Sequence, residues 1–262
     1  MKRWTKVMRY EIRNVVRART LLGYGAFFLL VGLGLVRMAG GVERALPSLV
    51  SVTLLAVPLV SLVATTVFLY DARAFNELLL AQPVGRRDLF RGLYLGLTLP
   101  LAGVFLVATG LPLLLSGGWA AAPGPVTLVL GLGVVLTAVF AALGFVVAFR
   151  FQEPARGLGA ALLTWLLVTV VYDGIVLLLS NALAAYPLEK PMLAAMLLNP
   201  VDLARLVGLM ALDASVLMGY TGAVFRSFFG GPVGVTVAAT ALVAWVVLPY
   251  LAARRRFGRM DF

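Results

Sequence analysis

The chain has 262 residues, 62% of them hydrophobic and only 13% charged, against about 25% charged in an ordinary soluble domain, and its mean hydropathy is +1.01. That composition belongs to an integral membrane protein. With no cysteine and no histidine, disulfides, thiolate or imidazole metal sites, Ser-His and Cys-His catalysis and an imidazole pH switch are excluded; the net charge of +11 does not point to nucleic acid, because the basic residues cluster at the ends of apolar runs.

Residues 1–20 read as an amphipathic helix. Lys2, Lys6, Arg9, Arg13 and Arg17 share one face, while Trp4, Val7, Met8, Ile12, Val15 and Val16 share the other, the pattern of a helix lying in the headgroup plane. Leu21 to Ala39 is a first span, with Arg37 able to snorkel at its far end. Gly40 to Arg44 is a short turn. Ala45 to Tyr70 is an uncharged run of 26 residues, enough for a second span of about 20 residues with tilt or a kink at Pro58.

Asp71 to Arg91 carries seven charges between long apolar runs. The spacing predicts a short helix from Asp71 to Gln82, stopped by Pro83. A second short helix restarts after Gly85, with Asp88 at its positive end. Two short helices around a turn make a rigid polar knob, a shape that suits docking to a partner protein. Gly92 to Phe149 is then an uncharged run of 58 residues and must fold back once. Ser116-Gly117-Gly118 and Pro123-Gly124-Pro125 mark the turn, so spans three and four cover residues 92–115 and 126–149. Arg150 to Arg156 is a short polar loop. Span five runs from Gly157 to about Ser180, and span six from about Val233 to Ala253.

Residues 181–232 form the one long connection on the other side, too apolar for a disordered loop. Asn199-Pro200-Val201-Asp202 is a helix start: Asn as N-cap, Pro at the first helical position and an acid in the first turn. Arg205 can pair with Asp202 at i,i+3. An apolar stripe at Leu203, Leu206, Val207 and Met210 predicts a small helical cap over the outer mouth of the bundle. With the N-terminus inside, the inner segments hold 17 of the 22 Lys and Arg residues and the outer ones five, which puts both termini in the cytoplasm. Residues 21–262 then form one membrane domain.

Glu77, Arg86, Arg87, Asp88 and Arg91 are the candidates for docking on the knob, with Gln82 beside them and Gln152 and Glu153 as a lesser second contact. Asp173 lies about 24 Å into span five at ~1.5 Å per residue, where a charge is expensive and marks function by default. It can line a transport path or gate, or it can pair with a neighbouring helix or the cap. Met192, Met196, Met210 and Met218 lie on the outer side. Thioethers suit Cu(I), but methionine more often fills gaps in apolar surfaces, and core packing is the expectation. No G-x-x-x-x-G-K-[ST] occurs, so the chain carries no P-loop.

The run Glu77-Leu78-Leu79-Leu80-Ala81-Gln82-Pro83-Val84-Gly85-Arg86, followed by Leu89, Gly92 and Gly96, resembles the cytoplasmic coupling segment of ABC-2 type transporter permeases. Gly85 stands where that family usually has serine, and Leu93 where it usually has lysine. Leu198 to Asp202, Arg205-Leu206 and Leu212-Asp213-Ala214, with Val171-Tyr172-Asp173, are similar to the NosY-type permeases of nitrous oxide reductase maturation. The resemblance implies a non-enzymatic subunit without cofactor, working as a homodimer with a separate cytoplasmic ABC ATPase in the inner membrane. It also implies a periplasmic NosD-like partner on the outer segment, where Asn199, Asp202, Arg205, Asp213 and Asp173 would make contact or gate, and a copper- or sulfur-containing cargo. The expected fold is all-α: six transmembrane helices, an N-terminal interfacial amphipathic helix, and a small helical outer cap between spans five and six. An ABC-2 exporter of lipid or drug and a secondary carrier using Asp173 are the rivals; the carrier lacks a second membrane acid and a pair of broken helices. An intramembrane hydrolase is nearly excluded by the absence of histidine.

Overall fold

A computed structural model describes residues 3–73, 85–182, 189–212 and 232–259. The described elements are helical: α1 (Arg3–Val16), α2 (Arg19–Ala39), α3 (Val42–Asp71), α4 (Arg86–Leu115), the single turn α5 (Gly118–Ala121), α6 (Pro123–Arg150), α7 (Pro154–Leu166), α8 (Tyr172–Ala182), α9 (Glu189–Leu197), α10 (Pro200–Ala211) and α11 (Pro232–Phe257). A π-helical turn, Leu167–Val171, joins α7 to α8, and the two make one 29-residue span. Six stretches are long and apolar enough to cross a membrane: α2, α3, α4, α6, α7–α8 and α11. They coincide with the six expected spans, because a chain with few polar side chains to offer must satisfy its backbone internally in a bilayer, and helix does that.

The centre of the bundle is α3 against α6, with α4 and α11 packed around them. Two-thirds of the most apolar stretch of α6 is buried (67%), but only 6% of that of α7–α8, so the fifth span sits at the periphery. Glycines set the closest approaches. A Cβ at Gly144 would stand 2.9 Å from Thr65 of α3.

The amphipathic helix is present and ends at Val16, one turn short of the expected boundary; Ala18 is extended and N-caps α2. Its innermost row, Val7, Glu11 and Val15, is buried against the first turns of α4. Gly92 and Gly96 make that possible: Cβ atoms there would lie 2.8 Å from Val7 and 2.5 Å from Glu11. Lys6, Arg9, Arg13 and Arg17 point outward and Val16 is half exposed, which leaves part of the apolar stripe for the membrane surface.

One expectation is corrected. The helix restarting after Gly85 is no separate short helix; α4 runs unbroken from Arg86 to Leu115. Gly85 is its N-cap and Asp88 lies in its first turn, but nothing between Arg91 and Gly92 breaks the helix, and Gly92 serves packing rather than a turn. At ~1.5 Å per residue the 30 residues span about 45 Å, more than the ~30 Å of hydrocarbon, so its first turns project beyond the membrane. The expected helix over Asp71–Gln82 falls largely outside the described residues; α3 ends at Asp71 with Ala72 as C-cap. The Gly117 turn is confirmed, with Gly117 left-handed at φ 73°.

Candidate functional site

The basic end of the bundle gathers the N-terminus of α4, the C-termini of α3 and α11, and the α6–α7 loop. Arg86, Arg87 and Arg91 are exposed and Asp88 half-buried. Arg86 Nη1 donates to the Gly258 carbonyl at 3.0 Å, tying α4 to the end of α11. Arg73 donates to the Gln152 carbonyl at 3.2 Å, and the Tyr70 hydroxyl to that of Phe151 at 2.7 Å, so the α6–α7 loop is fastened to α3. Glu153 N-caps α7 and pairs with Arg156 at 2.9 Å, with both side chains mostly in solvent, a contact of small energy. Glu77 and Gln82 lie outside the described residues. The structure brings Arg86, Arg87, Asp88 and Arg91 onto one helix end, and places Gln152 and Glu153 on the neighbouring loop.

Beneath that end lies an aromatic cluster that sequence reading missed. Phe90, fully buried on α4, meets Phe145 at 5.4 Å, Tyr250 at 5.2 Å and Phe257 at 5.8 Å between ring centroids. Tyr94 meets Tyr250 at 4.9 Å and donates to the Ala138 carbonyl at 2.9 Å. Rings in such edge and tilted contacts add about 0.5–1.5 kcal/mol per pair beyond burial. The cluster locks α4 to α6 and α11, so a displacement at Arg86–Arg91 enters the bundle rather than being absorbed by a loop. Leu93, in the place where the ABC-2 pattern has lysine, is buried in the core.

The opposite end holds a polar latch. Asn199 caps α10 as expected: its Oδ1 accepts from Val201 N at 2.9 Å, with Pro200 in the first turn. Its Nδ2 donates to the Val168 carbonyl at 2.7 Å. That carbonyl belongs to the π-helical turn, where the wider winding shifts carbonyls out of α-register. Arg205 Nη1 donates to Asp173 Oδ2 at 2.6 Å and to Asp202 Oδ1 at 3.1 Å. The Tyr172 hydroxyl donates to the Ala195 carbonyl at 2.6 Å, and Trp245 Nε1 to that of Leu197 at 3.1 Å. Asp173, Asn199, Asp202 and Arg205 thus form one network joining span five to the cap; Asp213 lies outside the described residues.

The cap is no lid resting on top. Its helices α9 and α10 meet at 106°, and Val201, Leu203, Ala204 and Leu206 are fully buried. A Cβ at Gly208 would stand 3.2 Å from Val50 and 3.4 Å from Leu132, so α10 wedges between α3 and α6. Met192, Met196 and Met210 are half-buried against the core, in packing positions; Met218 lies outside the described residues. Among the described residues no group of three or more His, Cys, Asp or Glu could hold a metal ion.

No protein-family model matches the chain. It is 31% identical over 238 residues to the probable ABC transporter permease protein NosY of Pseudomonas aeruginosa, an alignment spanning 82% of this chain and 84% of that protein. It is 27% identical over 281 residues to the protein of the same description from Stutzerimonas stutzeri, over 95% of this chain and 97% of the relative.

Proposed function

Because the chain belongs to the NosY family of ABC transporter permeases, and is a multi-pass inner-membrane protein whose ATPase is a separate partner, we propose that it moves a copper- or sulfur-containing species for nitrous oxide reductase maturation. In this reading the exposed end of α4 docks the ATPase, with Glu77, Gln82, Arg86, Arg87, Asp88 and Arg91 at the contact and Gln152 and Glu153 beside them. Two copies of the chain pair with two ATPase subunits. Both termini lie in the cytoplasm. A NosD-like periplasmic protein rests on the cap.

The observation that carries this reading is the continuity of α4. It starts at an exposed turn, is held laterally by α1, α6 and α11, and reaches the far side of the bundle without a break. Such a helix transmits a push from nucleotide-driven closure. The latch gives the push somewhere to act: Asn199, Asp202 and Asp173 release or hold the fifth span against the wedge. The carrier reading loses support, because Asp173 is engaged by Arg205 at 2.6 Å rather than poised to exchange an ion.

The test is co-expression with the cognate ATPase. Arg86→Ala with Arg87→Ala should reduce co-purification by about 10-fold or more if these charges are buried at the contact. Nitrous oxide reductase made without this chain should lack copper or sulfide on analysis. Full metal and sulfide content in its absence would overturn the cargo, leaving an ABC-2 exporter of lipid or drug; retention of the ATPase by the variant would overturn the docking assignment.

A further inference from the structure

Two clefts open at the basic end, on either side of the last turns of α11. The larger, about 760 Å³, lies between α3, the α6–α7 loop and α11 and carries Arg73, Arg150, Arg255, Arg256 and Arg259. The smaller, about 450 Å³, shares Arg255 and Arg259 and adds Arg86, Arg87 and Arg254. Among the described residues no carboxylate lines either cleft.

The excess of basic residues at span ends accounts for arginines at this level, each solvated on its own. It does not require them to converge from α3, α4, α6 and α11 on two adjoining hollows, where like charges repel. Arg256 is turned in by a hydrogen bond to the Phe149 carbonyl at 3.0 Å, as Arg73 and Arg86 are by the carbonyls of Gln152 and Gly258. The Phe149 carbonyl orients the Arg256 guanidinium without neutralising it. Arg150 lies 5.9 Å from the Phe151 ring centroid. The floor of the larger cleft is apolar, with Leu69, Val146 and Ala252. The clefts therefore sit where helices leave the hydrocarbon, apolar below and cationic above.

We propose that these clefts bind the headgroup of an anionic phospholipid carrying two phosphodiesters, one phosphate in each hollow with Arg255 and Arg259 between them. Guanidinium forks match phosphate oxygens two at a time, and basic pockets between spans are the sites at which such headgroups bind. The acyl chains continue down the apolar floor. A lipid so placed ties the end of α11 to the α6–α7 loop. The assignment depends on the chain being a membrane protein and not on its cargo.

The experiment uses the full chain in a neutral detergent, titrated at constant ionic strength with diphosphatidylglycerol, phosphatidylcholine or sodium pyrophosphate and followed by native mass spectrometry and thermal unfolding. Saturable binding with a rise in Tm is expected for diphosphatidylglycerol alone. Each cationic side chain at such a surface is worth about five-fold in affinity, so Arg150→Gln with Arg255→Gln should weaken binding roughly 30-fold, while Arg150→Lys with Arg255→Lys retains most of it. Equal binding of pyrophosphate would assign the clefts to a soluble phosphate compound and overturn the lipid. Parent-like lipid affinity in the glutamine variant would show diffuse surface attraction and overturn the site. Should that variant not elute as the parent does, Arg259→Gln alone decides: about five-fold loss supports the site, and unchanged affinity overturns it.

Discussion

Glu11 of α1 is a carboxylate only 2% exposed, packed onto Gly96 of α4, and its Oε1 has no hydrogen-bond partner among the described residues. Burial raises its pKa above the ordinary glutamate value, so the folded chain holds that proton more tightly than the unfolded one. The penalty is therefore absent at pH below the unfolded value, grows as pH rises towards the folded value and is complete above it. Glu11→Gln should raise stability at pH 8 by about 1 kcal/mol, and the gain should vanish near pH ~4; a gain that persists at low pH would assign the effect to packing. The latch makes a second residue-scale prediction. Asp173→Asn leaves Arg205 paired with Asp202 at 3.1 Å and an amide still able to accept from Arg205, so its Tm in detergent should fall only slightly. Arg205→Leu leaves two acids facing each other without a cation, and its Tm in detergent should fall clearly below that of Asp173→Asn. The reverse order would mean that Arg205 is not what holds the acids together.

At the scale of the element, α4 is the helix whose two ends do different things. Its first turns are shared between α1 and the aromatic cluster, and its remainder is core. Gly92 and Gly96 were legible in the sequence as part of a family pattern. Their reason was not, because a glycine that admits a neighbouring helix looks like any other until the neighbour is known. Gly96→Ala should displace α1, since its Cβ would lie 2.5 Å from Glu11 and 3.4 Å from the Met8 carbonyl. Trypsin should then cut at Arg9 or Arg13 faster than in the parent. Gly103→Ala on the same helix meets nothing within 4 Å and should cleave like the parent; equal rates in all three would mean that α1 does not depend on this contact. The continuity of α4 through Arg91 was misread because charges crowd there, and charge marks the membrane boundary, not the end of a helix. The π turn at Leu167–Val171 left no trace in the sequence, which has neither Pro nor Gly there. The N-cap at Asn199 was legible to the residue, since Asn-Pro fixes both the capping oxygen and the first helical φ.

For the whole molecule, the six spans were readable because apolar runs of that length have no other stable fate in a bilayer; the wedging of α10 into the bundle was not, since its apolar stripe would suit a surface cap equally well. The proposed cytoplasmic placement of the end that carries α1 and the first turns of α4 rests on charge: by sequence, the segments assigned to that side hold 17 of the 22 basic residues. The positive-inside bias acts on short loops and span ends, and the connections between spans one and two, three and four, and four and five are all short. The chain has no native cysteine, so single cysteines can be labelled against a blank background. Ser116 and Leu198 are exposed on the end with few basic residues, and Glu153 on the basic end. An impermeant maleimide added to intact cells should react with Ser116→Cys and Leu198→Cys, and with Glu153→Cys only after the membrane is opened. Reaction of Glu153→Cys from outside would invert the molecule. It would place the exposed end of α4 in the periplasm, out of reach of any cytoplasmic ATPase, and the docking assignment would fall with the topology.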